Sequence, residues 1–267
     1  MDFIKAILLG IVEGFTEFLP ISSTGHLILL NQFLSFERGF EKTFDIFIQL
    51  GAILSVVFYF WHRLNPFEKN KEGKQRQETY NLWLKTLIAV IPSIVIGALF
   101  GGLIQKFLFN PIVVAIMLLL GGLVMILLEM RNSNFKYYSI NQLDYKICIL
   151  IGLFQCLSFI PGTSRSAATI IGAMFLGLSR GIAVEFSFFL ALPTMLMATG
   201  YSILKTGFNI TLKEWGLLIT GFVTSFIVAY FIISFFINFI RKHNFVPFAV
   251  YRIILGLAII IYFLIKK

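Results

Sequence analysis

An all-α polytopic membrane protein is the fold class this sequence predicts, and three observations carry it. The chain of 267 residues is 58% hydrophobic and only 13% charged, with 31 phenylalanines and a mean hydropathy of +0.89; a water-soluble domain needs far more charge to cover its surface. Six apolar stretches are each long enough to span about 30 Å of hydrocarbon as a helix. Two other apolar stretches are broken near the middle by proline and hydroxyl residues. The net charge of +9 comes from basic residues in short loops and at helix ends. That pattern fits the orientation bias of membrane proteins and predicts no nucleic-acid partner.

The elements follow in chain order. Asp2 and Glu13 flank the first apolar run and no basic leader precedes it, so it reads as part of the fold and not as a signal peptide. The run 3 to 33 is interrupted by Pro20 with Ser22, Ser23 and Thr24, which predicts two half-helices that enter the membrane and turn back. Spans follow at about 44 to 62, 83 to 105 and 112 to 130. A second interrupted run, 146 to 178, breaks at Pro161-Gly162 with Thr163 and Ser164, and spans follow at 181 to 204, 214 to 240 and 247 to 265. Cys148 and Cys156, eight apart in one apolar segment, cannot be bridged along a helix and read as core.

The two breaks resemble each other. "FLPISS" at 18 to 23 aligns with "FIPGTS" at 159 to 164, and "FDIFIQLGAIL" at 44 to 54 aligns with "FSFFLALPTML" at 186 to 196, at offsets of 141 and 142. Two matches at nearly one offset predict an internal duplication within a single membrane domain, with repeats over about 1 to 132 and 143 to 267. Each half then holds one re-entrant hairpin and three crossings. An odd number of crossings inverts the second half relative to the first, so the hairpins enter from opposite faces and meet near the midplane. With the hydrophilic loop 63 to 82 on one side, twelve Lys and Arg fall on that side and eight, including Arg38, Lys266 and Lys267, on the other. The first side is the expected cytoplasmic one, with both termini and the mouth of the first hairpin outside.

The chemistry lies at the breaks. Glu13 and Glu17, four apart, share one helix face, and each ionisable group at a bilayer centre costs roughly 2.5 to 3.5 kcal/mol. A shared proton, a divalent cation such as Mg²⁺ or Ca²⁺, a basic partner or a water-filled cavity would offset that cost. A helix mouth turned to water is the plainer alternative. After Pro20, Ser22 or Ser23 suits the cap of a new helix, whose free N–H groups and dipole bind anions, phosphate above all. His26 falls one turn after these serines, so serine and histidine are placed as nucleophile and base or as phosphate ligand and acid. In "PGTSRS", Thr163 or Ser164 caps the second half-helix. Arg165 in its first turn suits a bidentate phosphate clamp or an ion pair with Glu13 or Glu17. Convergent helix ends, an arginine and paired acids in a phenylalanine-rich wall point to metal-assisted chemistry on a phosphate ester with a long apolar tail.

Other polar residues carry less. His62 and His243 read as interfacial, and Arg252 as a residue that snorkels from the last span or pairs locally. Asp45 and Gln49, four apart, suit either a cavity lining or, for Asp45, a helix cap.

"EGFTEFLPISSTGH" and "PGTSRSAAT" closely resemble the two signature motifs of the bacterial undecaprenyl-diphosphate phosphatases of the bacitracin-resistance type. "KTFDIFIQLGAIL" at 42 to 54 and the length extend the resemblance to essentially the whole chain. It implies hydrolysis of a polyprenyl diphosphate lipid to the monophosphate, a divalent metal, a site open to the outer face of the plasma membrane, an inverted-repeat fold and homodimers. By motif position it makes Glu13 and Glu17 the acidic pair, Ser22, Ser23 and His26 the first-tip catalytic group, and Ser164, Arg165, Ser166 and Thr169 the diphosphate-binding tip. Thr24 adds a further hydroxyl for substrate at the first tip, and Glu13 with Glu17 are the expected metal ligands. The mechanism expected is attack by Ser23 or by water, with His26 moving the proton. An inverted-repeat carrier, such as a lipid-phosphate flippase or ion-coupled exchanger, is the rival class; a serine and histidine beside paired acids favour the hydrolase.

Overall fold

A computed structural model describes the chain except residues 32, 35, 37–39, 70, 132–133, 207–209 and 266–267, with backbone alone at 105 and 202–206. Arg38, Lys266 and Lys267 of the charge count therefore lie outside the described residues. Eleven α-helices occur among those described: α1 (Asp2–Thr16), α2 (Ser23–Leu30), α3 (Phe40–Tyr59), α4 (Trp61–Leu64), α5 (Gly73–Leu108), α6 (Pro111–Met130), α7 (Tyr145–Gln155), α8 (Arg165–Phe175), α9 (Arg180–Thr206), α10 (Leu212–Ile240) and α11 (Val246–Ile265). Six of these, α3, α5, α6, α9, α10 and α11, are long and apolar enough to cross a membrane, as expected. The protein is an all-α, multi-pass membrane protein.

Local chemistry sets the boundaries. Helix α1 ends at Thr16, four residues before Pro20, because a proline ring clashes with the carbonyl four positions earlier. Asn110 caps α6 and Pro111 opens it, Asp144 caps α7, and Thr211 with Glu214 form a capping box on α10. Helix α5 starts ten residues earlier than the apolar pattern implies, since its first turns are polar and project beyond the hydrophobic stretch.

Packing interleaves the two halves. Helices α1 and α3 pack on α10, α7 and α9 pack on α5, and α6 pairs with α11. Helices from the N-terminal and C-terminal parts of the chain thus alternate in the packing. Small residues permit the closest of these approaches. A Cβ on Gly10 of α1 would come 2.7 Å from the Gly221 carbonyl oxygen of α10, and one on Gly14 would come 2.5 Å from that of Ser225. This is the close backbone approach that small residues four apart allow between membrane helices. The break between α1 and α2 is also tied to α9 through Phe18 and Phe188, edge to face with ring centroids 5.2 Å apart. Outward faces remain apolar, with Leu87, Ile91, Leu99, Leu123 and Leu127 all exposed, as lipid contact requires.

One expectation for a single residue changes. Arg252 does not snorkel: it is 0% exposed and is bonded to backbone carbonyls in the interior. A position a few residues inside an apolar span can face protein as readily as lipid, and α11 turns this one inward. His62 and His243 lie at helix ends as expected, His62 paired with Glu68 and His243 stacked on Phe239 at 4.5 Å. Cys148 and Cys156 are free thiols, Cys148 buried.

Candidate active site

The two breaks form a matched pair. Ser22 caps α2 and Ser164 caps α8, each side chain accepting a backbone N–H in the first turn, from Gly25 and Ala167 at 3.3 Å. Both serines have positive φ, 71° and 69°, in a region that only glycine enters freely. Such strain persists where surroundings over-determine the backbone. Here it swings the chain sharply from the incoming segment into a new helix. The first residue after each cap, Ser23 in one half and Arg165 in the other, is thereby set at a helix N-terminus.

These residues meet through Glu17. The Ser23 hydroxyl donates to Glu17 Oε2 at 2.8 Å, and Arg165 Nη2 donates to Glu17 Oε1 at 3.4 Å. Arg165 Nη1 donates to the Ser187 carbonyl at 3.1 Å, and its Nε is buried with no partner among the described residues. The expected ion pair between the tips is therefore present, and it uses Glu17. Glu13 is 1% exposed, lies in electrostatic reach of Glu17, Asp45 and Arg165, and has a buried Oε2 with no hydrogen-bond partner among the described residues. Asp45 lies inside α3 and not at its cap, with a buried carboxylate oxygen unpartnered among the described residues, which favours the cavity-lining reading.

His26 stands apart from Ser23. Its Nδ1 is 2.8 Å from the Ser22 carbonyl, which can only accept, so Nδ1 carries a proton. In the neutral ring Nε2 then accepts from the Tyr251 hydroxyl at 2.7 Å. The two rings are stacked, centroids 5.6 Å apart and 7° from parallel. The acceptor facing the Ser23 proton is thus Glu17 and not His26, because the imidazole one turn along α2 reaches back to the cap carbonyl. Thr24 is partly exposed in the first turn of α2.

The second-tip hydroxyls divide. Ser164 Oγ lies 3.0 Å from Ser166 Oγ, and Ser166, fully buried, donates to the Leu19 carbonyl of the first tip at 2.9 Å. Thr169 is also fully buried, bonded to the carbonyls of Arg165 and Ser166 and to the Ser187 hydroxyl. In this arrangement Ser166 and Thr169 lie behind the tip and hold it through these bonds. Ser164 remains partly exposed.

Tyr251 and Arg252 were not legible as site residues. Arg252 reaches the carbonyls of Pro20, Gly162 and Thr163, so one guanidinium spans both tips. Gly162, at φ 90°, is pressed against the backbone of Val114. No side chain fits there, which accounts for the glycine after Pro161.

The chain matches the family described as bacitracin resistance protein BacA over residues 6–258. It is 52% identical over 265 residues to undecaprenyl-diphosphatase 1 of Clostridioides difficile, covering 98% of this chain and 97% of that protein. It is 47% identical over 274 residues to the undecaprenyl-diphosphatase of Lachnoclostridium phytofermentans, with both chains fully covered. The undecaprenyl-diphosphatase of Enterococcus faecalis is 45% identical over 267 residues, covering 98% and 97%. With a match that runs through both tips and nearly every helix, the chain belongs to the bacitracin resistance protein BacA family.

Proposed function

We propose that this protein is an integral-membrane phosphatase that hydrolyses undecaprenyl diphosphate to undecaprenyl phosphate and inorganic phosphate, recycling the lipid carrier of cell-wall synthesis and conferring bacitracin resistance. The observation that carries the site assignment is the Ser23–Glu17–Arg165 chain: a hydroxyl at a helix N-terminus donating to a buried carboxylate that also holds an arginine.

The incoming diphosphate displaces Glu17 from Arg165, whose guanidinium then holds phosphate oxygens together with the N–H groups opening α2 and α8. Glu17 takes the Ser23 proton, and Ser23 Oγ bonds to the terminal phosphorus. The bond from that phosphorus to the bridging oxygen breaks, and undecaprenyl phosphate leaves. Water then releases phosphate from Ser23; a direct attack by water activated by Glu17 is the variant of the same reading. His26, bonded to the Ser22 carbonyl and to Tyr251, keeps the first turn of α2 in place.

The donor set fits a divalent cation, Mg²⁺ or Ca²⁺, held by Glu13 and Glu17. Glu13 Oε2 is unpartnered, and no third His, Cys, Asp or Glu joins the pair among the described residues. Two carboxylates with phosphate and water oxygens completing the shell is the habit of Mg²⁺. When bound, it supplies neutralisation of the phosphate charge. We place the protein in the plasma membrane with the site and both termini outward and the halves inverted. This is supported by the basic excess on the other side and by the odd number of crossings per half.

The test is phosphate release from C55 diphosphate by the purified full chain, with and without EDTA. Wild type should release phosphate and EDTA should stop it. Glu17→Gln and Arg165→Ala should each fall by about 10²- to 10³-fold. Wild type inactive with metal supplied would sink the phosphatase reading, and full activity in Arg165→Ala would sink the clamp.

A further inference from the structure

We infer that Arg252 is a positioning residue for hydrolysis: it sets the two re-entrant tips at the spacing that brings Ser23 and Arg165 to one phosphate. Its five donor contacts are Nε to Leu118 O at 3.4 Å, Nη1 to Pro20 O at 3.1 Å, and Nη2 to Met117, Gly162 and Thr163 O at 3.1, 3.2 and 3.0 Å. The first tip, the second tip and α6 are thus held by one rigid, planar group. The carbonyl of Pro20 lies three residues before Ser23, and that of Thr163 two before Arg165. Little chain separates what Arg252 holds from what must react.

Nothing else in its surroundings explains the cation. Arg252 is fully buried and makes no ion pair with a carboxylate among the described residues. A buried guanidinium is costly unless its donors are used, and here all the acceptors are backbone oxygens of irregular or close-packed segments. Three of them, the carbonyl oxygens of Pro20, Gly162 and Thr163, lie in the breaks outside any helix, and a fork of five N–H groups reaches all three while also touching Met117 and Leu118 of α6. Lysine, a compact cation with three rotatable donors, does not reproduce that fork. Space for the group is also provided. A Cβ on Gly121 of α6 would strike Arg252 Nη2 and lie 2.9 Å from its central carbon, so glycine at 121 keeps the slot open.

The inference rests on the assignment of Ser23, Glu17 and Arg165 as the reacting site. Glu17→Gln and Arg165→Ala test that assignment; Arg252 tests only alignment. The experiment measures kcat and KM for C55 diphosphate, with thermal unfolding, in purified R252K, G121A and, as a control, I140A. Ile140 is a buried core residue in the segment joining the halves. Misalignment by about 1 Å costs on the order of 100-fold, so R252K and G121A should lose about 10- to 100-fold in kcat while KM stays within about threefold. I140A should melt lower and keep kcat per folded molecule. Folded R252K or G121A with wild-type kcat would overturn the inference, as would a loss confined to KM. If R252K does not fold, G121A decides, since it retains the guanidinium and shifts it. Failure of both to yield folded protein would count against positioning and for a purely structural role. Retained activity in Glu17→Gln and Arg165→Ala beside impaired R252K would instead break the site assignment.

Discussion

Glu17 carries more of the site than any other side chain: it accepts from Ser23 with one oxygen and from Arg165 with the other. A buried carboxylate with both oxygens in use is held in one orientation, which a general base needs. His26 is anchored by Ser22 and Tyr251 instead, so His26→Ala should lose less than Glu17→Gln, about 10-fold against 10²-fold or more. Tyr251→Phe should lose less still. Rates of phosphate release on purified variants check the order, and His26→Ala matching Glu17→Gln would return the base to His26. Ser23, Glu17 and Arg165 were legible because polar residues in a greasy run are rare and costly. The pairing of Ser23 with Glu17 instead of His26 was not. His26 lies one turn along α2, whereas Glu17 lies six residues back across Pro20, and only the observed break, with α1 ended at Thr16 and a strained cap at Ser22, turns Ser23 back toward Glu17.

Among elements, the half-helices α2 and α8 do the unusual work, and their caps depart from the common rule. At an ordinary N-cap, Ser→Gly costs a few tenths of a kcal/mol and Ser→Ala about 1. At Ser22 and Ser164 the positive φ adds a conformational cost of about 1 kcal/mol or more for any residue with a Cβ, and glycine escapes it. Ser22→Gly and Ser164→Gly should therefore be neutral or stabilising, and the alanine variants should lose about 1 kcal/mol through the cap. Thermal unfolding in detergent reads the difference; alanine and glycine behaving alike would contradict the strained geometry. Proline and hydroxyl residues marked these breaks plainly in the sequence. The positive φ was hidden, because serine is an ordinary cap and nothing about its identity announces a strained one.

Across the whole molecule, the interleaving of halves and the grouping of charged ends bear on orientation. Arg63 pairs with Glu185 at one end, where Arg180 also pairs with Glu129, and Lys213 pairs with Asp2 at the ends of α10 and α1. In a chain with Cys148 and Cys156 replaced, a membrane-impermeant maleimide should label Leu212→Cys in intact cells and Lys242→Cys only after permeabilisation. The reverse pattern would turn the site toward the cytoplasm. Composition and the spacing of apolar runs were enough for the membrane class, the six spans, the two breaks and the acidic and basic residues at their tips. Those are local properties, set by what a bilayer tolerates and by where proline stops a helix. The alternation of N-terminal and C-terminal helices, the turning inward of Arg252 and the contact of Tyr251 with His26 were decided by packing. An apolar span looks alike on every side, so which face meets protein depends on segments remote in the chain.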